Sequence, residues 1–252
     1  MSGLSYRVGA QREVTPGWFA GVTAAYSDSW LAANDGYTKS EGVGGDMAVS
    51  LKHQRGPWLF AVSTHLGYKS LDNRRVVDVG PDVAAIASAS EVWTMGARFR
   101  ASRQFVFTDW YLKPRIDLDI LHTRMPAFAE KSDAPYSLQV AAMQEWTPMI
   151  SPAVELGGRF DLGESTSVHP YLSLGASFMR NERLSAEAWF KTADADISRF
   201  RSSVKMPSSL LDIGLGAQLF SAGKYELRAE AKSRIGEDFL EQEGSLRFSV
   251  RF

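Results

Sequence analysis

Hydrophobic and polar residues alternate along most of the chain. In residues 58–69, which read WLFAVSTHLGYK, every second side chain from Trp58 to Tyr68 is apolar except Thr64. A period of two residues is typical of a β-strand whose two faces differ in polarity. The pattern therefore predicts a strand with one apolar face.

The same alternation recurs along the chain and predicts eleven strands and no helix. These strands cover residues 4–14, 18–28, 43–53, 58–69, 91–101, 110–121, 150–161, 168–179, 209–220, 225–235 and 245–252. Strands in soluble proteins average only about five or six residues. A strand of about ten residues that is tilted by about 45° rises about 23 Å, close to the apolar band of an outer-membrane barrel at roughly 25 Å.

The predicted connections alternate strictly between short and long. The short ones are residues 15–17, 54–57, 102–109, 162–167 and 221–224. The long ones are residues 29–42, 70–90, 122–149 and 180–208, with a shorter final one at 236–244. Up-and-down barrels in the bacterial outer membrane have tight periplasmic turns and longer extracellular loops. The sequence therefore predicts an all-β fold, a transmembrane up-and-down antiparallel β-barrel of the bacterial outer membrane.

Charged residues and glycines occupy the face opposite the apolar one, which would face the barrel lumen. The candidate lumen residues are Arg98, Arg100, Lys113, Arg115, Asp117, Asp119, Glu155, Arg159, Asp212, Glu226, Arg228, Glu230, Lys232 and Arg247. Such mixed charges fit two interpretations that can coexist. They would contact a polypeptide segment threaded through the lumen, or they would pair with each other across neighbouring strands.

Four aromatic residues follow short connections immediately or almost immediately: Trp18, Trp58, Trp110 and Tyr225. Aromatic girdles occupy both membrane interfaces of outer-membrane barrels, so this placement predicts such a girdle at the end with the short turns. The alternative is that these four are simply core aromatics that lie near turns.

Composition excludes several classes of function. The net charge of −1 leaves no basic excess for binding nucleic acid. The chain has no cysteine, and its four histidines are not spaced as metal ligands, so we expect neither a metal nor a cofactor. No run approaches the roughly 18 to 20 consecutive apolar residues of a membrane-spanning helix.

Several segments resemble, in order and over essentially the whole chain, the C-terminal translocator domain of monomeric (type Va) bacterial autotransporters. LSYRVGAQREVTPGWFAGVTAAYSDSW is similar to the second and third strands of that family, and WYLKPRIDLDILHTRM to its sixth-to-seventh region. VHPYLSLGASFMRNERLSAEAWF resembles a Pro-aromatic strand that continues into an outer extension. YELRAEAKSRIGEDFLEQEGSLRFSVRF is similar to the last two strands and the terminal aromatic.

This resemblance implies a twelve-stranded barrel preceded by a helix in the pore. The chain matches from the second strand to the twelfth, so we expect residues 1–252 to be a single translocator domain. A first strand, a pore helix, a passenger and a signal peptide are expected upstream. The implied function is to anchor an N-terminal passenger in the outer membrane of a Gram-negative bacterium and to assist its secretion.

The implied partners are the protein's own passenger segment and linker helix, the lipid bilayer and lipopolysaccharide, the barrel-assembly machinery and periplasmic chaperones, with no nucleic acid. The last strand alternates to an aromatic end, with Leu246, Phe248, Val250 and Phe252 on the lipid side. In outer-membrane proteins such an end resembles the signal that the insertion machinery reads.

Three alternatives stay open at this stage: a phospholipase-like outer-membrane enzyme, a passive pore, and a soluble antiparallel barrel or sandwich. The enzyme would need Ser and His on the lipid-facing side of neighbouring strands, whereas His65, Ser63 and His169 fall on the lumen face. Some autotransporters cleave the linker with lumen carboxylates, but no motif selects a pair among Asp117, Asp119, Glu155 and Asp212. We assign no catalytic residue.

Overall fold

The computed structural model describes residues 2–32, 37–80, 82–180, 183–193, 199–221 and 223–250. All the secondary-structure elements assigned within these ranges are β-strands. The ranges hold no helix that is long and apolar enough to cross a membrane. The strands are β1 (Ser2–Thr15), β2 (Trp18–Ala32), β3 (Thr38–Arg55), β4 (Trp58–Val79), β5 (Asp82–Arg103), β6 (Phe105–Val106), β7 (Trp110–Met125), β8 (Phe128–Ala129), β9 (Leu138–Val140), β10 (Met143–Gly158), β11 (Phe160–Asp161), β12 (Thr166–Met179), β13 (Arg183–Phe190), β14 (Phe200–Lys205), β15 (Ser209–Ser221), β16 (Tyr225–Gly236) and β17 (Phe239–Val250).

Thirteen of these strands form one large antiparallel sheet: eleven follow one another across it, β6 pairs with β7, and β11 pairs with β12. Its order is β1-β2-β3-β4-β5-β7-β10-β12-β15-β16-β17, so each strand pairs with its neighbour along the chain apart from the short inserted strands. The predicted all-β, up-and-down architecture is confirmed, and each of the eleven predicted strands overlaps one of the eleven strands of this order, with different bounds. Among the described residues, β1 pairs only with β2 and β17 only with β16.

One face of the large sheet carries exposed apolar side chains. Continuous pairing keeps this face apolar from strand to strand, because directly opposed residues point to the same side. A row across four strands, for example, consists of Val62, Phe99, Leu118 and Ile150, all of them exposed. A contiguous apolar surface of this kind indicates contact with a membrane or another protein rather than with water.

The long connections are loops only in part, because the structure continues the strands into them. β4 and β5 pair without a break from Trp58 opposite Arg103 to Val79 opposite Asp82. β16 and β17 are separated only by residues 237–238. Beyond the apolar band both faces of a strand meet water, so the backbone ladder persists while the alternation of hydrophobicity disappears.

A second sheet forms within two of the long connections. It has four strands in the order β14-β13-β9-β8, and we call it the outer sheet. The opposite end of the large sheet carries the short turns, where Gly17, Gly56 and Gly223 have φ values of 78°, 56° and 64°. Glycine suits these turns because it adopts positive φ without a steric cost.

Candidate functional site

The large sheet curls so that distant strands share one cavity. This cavity of about 620 Å³ is lined both by Gln54 at the end of β3 and by Arg228 on β16. We call the face that lines it the concave face, and the opposite, apolar face the outer face. Five of the predicted lumen residues line the cavity: Arg100, Lys113, Arg115, Glu155 and Arg228. Four of these five are cations, so the cavity wall carries an excess of positive charge.

Two arginines of β5 pair with two aspartates of β7 on the concave face. Arg98 Nε donates to Asp119 Oδ1 at 2.6 Å. Arg100 donates to both oxygens of Asp117, at 2.6 and 2.7 Å. The pairs follow from the register, which places each arginine directly opposite its aspartate. Bidentate contact between guanidinium and carboxylate is the strongest geometry for such a pair.

Glu155 collects two donors from β7. Lys113, which lies opposite it, donates from Nζ at 2.6 Å, and Tyr111 donates from its hydroxyl at 2.8 Å. Tyr171 on β12 accepts a hydrogen bond from Arg228 Nε at 3.0 Å. Neither tyrosine is among the lumen residues predicted from the sequence. Tyr111 could have been recognised from its position, since it lies two residues before Lys113 and therefore on the same face of the strand.

The concave face of the last strands carries a further network. Glu230 pairs with Arg228 and with Lys232, both at 3.1 Å. Arg234 lies 3.5 Å from Asp212 and 3.2 Å from Glu241.

A hydrogen-bonded serine pair connects this network to the middle of the sheet. Ser151 and Ser177 lie 2.8 Å apart, and Ser177 donates to Asp212 at 2.6 Å. Neither serine was selected from the sequence. The chain of contacts thus runs from β10 through β12 and β15 to Arg234 on β16.

Three predicted lumen residues lie apart from these networks. Arg159 follows the last residue of β10 and pairs with Asp161 at 3.0 Å, with both side chains exposed. Glu226 lies opposite Ser249, and Arg247 lies opposite Arg228.

Polar atoms on the concave face are left over after this pairing. Arg115 Nε and Asp119 Oδ2 are buried and have no hydrogen-bond partner among the described residues. Water or a polar segment in the cavity would satisfy such atoms. Within the same ranges, no group of three or more histidines, aspartates and glutamates could hold a metal ion.

The four predicted girdle aromatics lie next to short turns at one end of the sheet. Their side chains are exposed, and each ring has an aromatic neighbour. The pairs, with their centroid separations, are Trp18 with His53 at 4.3 Å, Trp58 with Phe60 at 5.9 Å, Trp110 with Phe107 at 4.0 Å and Tyr225 with Phe248 at 6.2 Å.

Leu246, Phe248 and Val250 of the predicted assembly signal are exposed on β17. They lie opposite Ala229, Leu227 and Tyr225 of β16, on the outer face. Phe252, the last residue of the predicted signal, lies outside the described residues.

Ion pairs connect the outer sheet to two hairpins of the large sheet. Arg75 on β4 donates to both oxygens of Glu130, at 2.6 and 2.7 Å. Lys205 at the end of β14 pairs at 2.7 Å with Glu237, between β16 and β17. The hydrogen bond from Lys205 lowers the pKa of Glu237.

The comparisons with known proteins agree with this geometry. The family model of the autotransporter beta-domain matches residues 2–232. The translocator domain of the autotransporter NalP from Neisseria meningitidis superposes with a TM-score of 0.76 at 17% identity, covering 99% of this chain and 81% of that one. The beta domain of the Bordetella autotransporter BrkA gives a TM-score of 0.67 at 15% identity, covering 99% and 90%.

The transport unit of the autotransporter AIDA-I from Escherichia coli gives a TM-score of 0.62 at 8% identity, covering 99% of this chain and 82% of that one. Among curated proteins, no sequence matches. At these identities the solved structures establish the fold, and the family model, which spans most of the chain, establishes the family. The chain therefore belongs to the autotransporter beta-domain family, the outer-membrane translocators of type V secretion in Gram-negative bacteria.

Proposed function

We propose that this domain anchors an N-terminal passenger and that the linker to the passenger lies against the concave face during secretion. The observation that carries the proposal is the cation-rich cavity. Arg115, which lines it, and Asp119 on the same strand each keep a buried polar atom, Nε and Oδ2, without a hydrogen-bond partner among the described residues. A linker with backbone carbonyls and carboxylates would offer acceptors to the cations. An α-helix of about 10 to 12 Å diameter is the largest regular element we expect the lumen to admit.

The pairing of charges suits a wall along which a chain must pass. Arg100 and Lys113 already hold carboxylates of neighbouring strands at 2.6 Å. A passing segment would therefore meet a polar but largely compensated surface. Breaking such pairs is costly, so the wall would retain its own contacts rather than bind the segment tightly.

The domain would act without a catalytic centre of its own, and we assign no catalytic residue to the lumen carboxylates. Delivery would depend on periplasmic chaperones and on the barrel-assembly machinery. We infer that the barrel-assembly machinery recognises the last strand through Leu246, Phe248 and Val250 together with Phe252. The exposure of the first three side chains on β17 supports this role.

Disulfide trapping in the full-length protein tests the proposal. The chain has no cysteine, so a single cysteine at Arg115→Cys, on the concave face, has a matched control at Ile116→Cys on the outer face. With a second cysteine in the linker, we expect cross-linking to position 115 and little to position 116. Equal cross-linking at both positions, or cross-linking only at 116, would contradict the proposal.

A further inference from the structure

A second cavity opens on the outer face, at the end with the short turns. Its volume is about 460 Å³, and its lining consists of His53, Arg55, Trp58 and Phe60. His53 is directly opposite Phe60, and Arg55 is directly opposite Trp58. Since His53 continues the apolar alternation of Val49 and Leu51, these side chains belong to the face that meets the membrane.

The walls of this cavity are aromatic, and one guanidinium group, that of Arg55, belongs to the lining. Trp18 stacks on His53 with ring centroids 4.3 Å apart, and Trp58 stacks on Phe60. The Arg103 guanidinium lies 5.2 Å from the Trp58 ring centroid. Because Arg55 and Arg103 are both opposite Trp58, one on each neighbouring strand, the tryptophan stands between two cations.

One polar atom of the lining has no protein partner. His53 Nδ1 is buried, and no described residue offers it a hydrogen bond. An imidazole donates or accepts through this atom, depending on its tautomer. A ligand that combines oxygen atoms with apolar chains would fit aromatic walls, one arginine and an unsatisfied ring nitrogen.

We propose that this cavity binds the headgroup of a glycerophospholipid from the periplasmic leaflet, with Arg55 on the phosphate. Arginine matches phosphate geometry better than lysine does, because its planar fork offers parallel donors. His53 donates to a phosphate or glycerol oxygen, and the rings of Trp18, Trp58 and Phe60 pack on the glycerol and the upper acyl chains. Amphipathic aromatic rings are the side chains that favour this depth of a bilayer.

The position of the cavity indicates which class of lipid it would bind. The short turns of outer-membrane barrels lie on the periplasmic side, so the cavity meets the phospholipid leaflet rather than lipopolysaccharide. The inference goes beyond secretion of the passenger and does not depend on it, since it requires only that the domain resides in the outer membrane.

The test uses the full-length protein extracted from outer membranes into detergent, with bound phospholipid counted by mass spectrometry and titrated back as phosphatidylglycerol. We expect Arg55→Gln to weaken phospholipid binding about tenfold, the loss of one charge-assisted hydrogen bond. His53→Phe retains a ring against Trp18 and removes the nitrogen, and we expect it to weaken binding about threefold. Lys224→Gln, which removes a cation at the same end but outside the cavity, is the matched control and should leave binding within about twofold.

Heat-modifiable migration on gels reports whether each variant is folded, and binding is compared among folded proteins. Unchanged phospholipid binding in both Arg55→Gln and His53→Phe would overturn the proposal, as would an equal loss in Lys224→Gln. Displacement of the lipid by an equal concentration of inorganic phosphate would also overturn it, because the site would then recognise a free anion. If Arg55→Gln does not fold, His53→Phe carries the test alone, and normal binding in that variant rejects the site.

Discussion

The Arg100–Asp117 pair of the large sheet and the Arg201–Glu187 pair of the outer sheet have the same separation and very different surroundings. Both have a shortest N–O distance of 2.6 Å. The Asp117 side chain is only 6% exposed, whereas Arg201 and Glu187 are 66% and 34% exposed. Distance alone would rank these pairs as equal, so burial must decide how much each contributes to stability.

The physical reason lies in solvation. A carboxylate that is already out of water depends on its partner, and removing the partner leaves a buried charge uncompensated. A carboxylate in water regains hydration when its partner leaves, so the net loss is small. The large sheet can maintain the first kind of pair because its long strands hold Arg100 and Asp117 directly opposite each other.

The largest effect is therefore expected from Arg100→Leu. This change removes both donors from Asp117, and the nearby Arg115 Nε lies 4.0 Å away, too far for a hydrogen bond. We expect the free energy of unfolding to fall by about 3 kcal/mol. Urea unfolding of the detergent-folded protein, followed by tryptophan fluorescence, measures this loss.

The double variant Arg100→Leu, Asp117→Leu sharpens the result. It removes the charge that the single variant leaves buried, so it should recover most of the lost stability. Ser50→Ala, at an uncharged concave-face position on β3, should change the free energy of unfolding by less than about 0.5 kcal/mol. A double variant as unstable as the single one would show that solvation of Asp117 is not the dominant contribution.

Arg75→Leu tests a pair at the boundary between the two sheets. Arg75 makes three hydrogen bonds, two to Glu130 and one to the Tyr136 carbonyl, and Glu130 is only 8% exposed. Glu130 keeps one donor, the Leu138 backbone amide. We expect the free energy that keeps the outer sheet docked on the large sheet to fall by about 2 kcal/mol. The free energy of unfolding of the large sheet should not change.

Limited proteolysis of the outer sheet measures this local opening. The large sheet should remain resistant to the protease, and its heat-modifiable migration should not change. Arg159→Leu, which breaks an exposed pair with Asp161 at 3.0 Å, is the control and should leave the cleavage rate unchanged. If cleavage accelerates equally in both variants, the Arg75–Glu130 contact does not stabilise the docked outer sheet.

The contrast between enclosed and open positions extends to glycines of the large sheet. A Cβ on Gly157 would collide with the ring of Tyr111, whose hydroxyl is held by Glu155. A Cβ on Gly244 would meet no atom within 4 Å. We expect Gly157→Ala to cost about 1.5 kcal/mol and Gly244→Ala to be neutral within about 0.5 kcal/mol in urea unfolding. Equal effects of the two alanines would show that Tyr111 moves aside freely.

The sequence predicted the part of the fold that the membrane constrains. Within the apolar band every second residue must be apolar, so strands such as residues 58–69 were recognisable from period two alone. Beyond the band both faces of a strand meet water, so hydrophobic and polar residues need not alternate. The continuation of β4 to Val79 could therefore not be predicted from alternation. The resemblance implied an outer extension after β12, but the alternation did not predict the outer sheet, because β13 pairs with β9 across a long separation in sequence.

The charges were predictable as a set, but their partners were not. Parity placed Arg100 and Asp117 on one face, while their pairing depends on register, which alternation within each strand does not specify. Tyr111 was missed because an aromatic residue among charges was not counted as polar, although its hydroxyl donates to Glu155. The cavity on the outer face required His53 and Trp58 to meet across strands, which again depends on register.

The smallest effect is expected from Arg201→Gln in the outer sheet. The hydrogen bond from Arg201 lowers the pKa of Glu187, with help from Arg199 at 3.3 Å. A lowered pKa in the folded state means that the pair's stabilisation is present above the unfolded pKa and is lost as pH falls through the folded pKa. Arg201→Gln should raise the Glu187 pKa toward its ordinary value, measured by NMR titration of the side-chain carboxyl, while the urea midpoint at neutral pH stays that of the wild type. Lys205→Gln, which changes a different exposed pair, should leave the Glu187 pKa unchanged. A large fall in the urea midpoint would contradict the comparison, because an exposed pair would then matter as much as the buried one at Asp117.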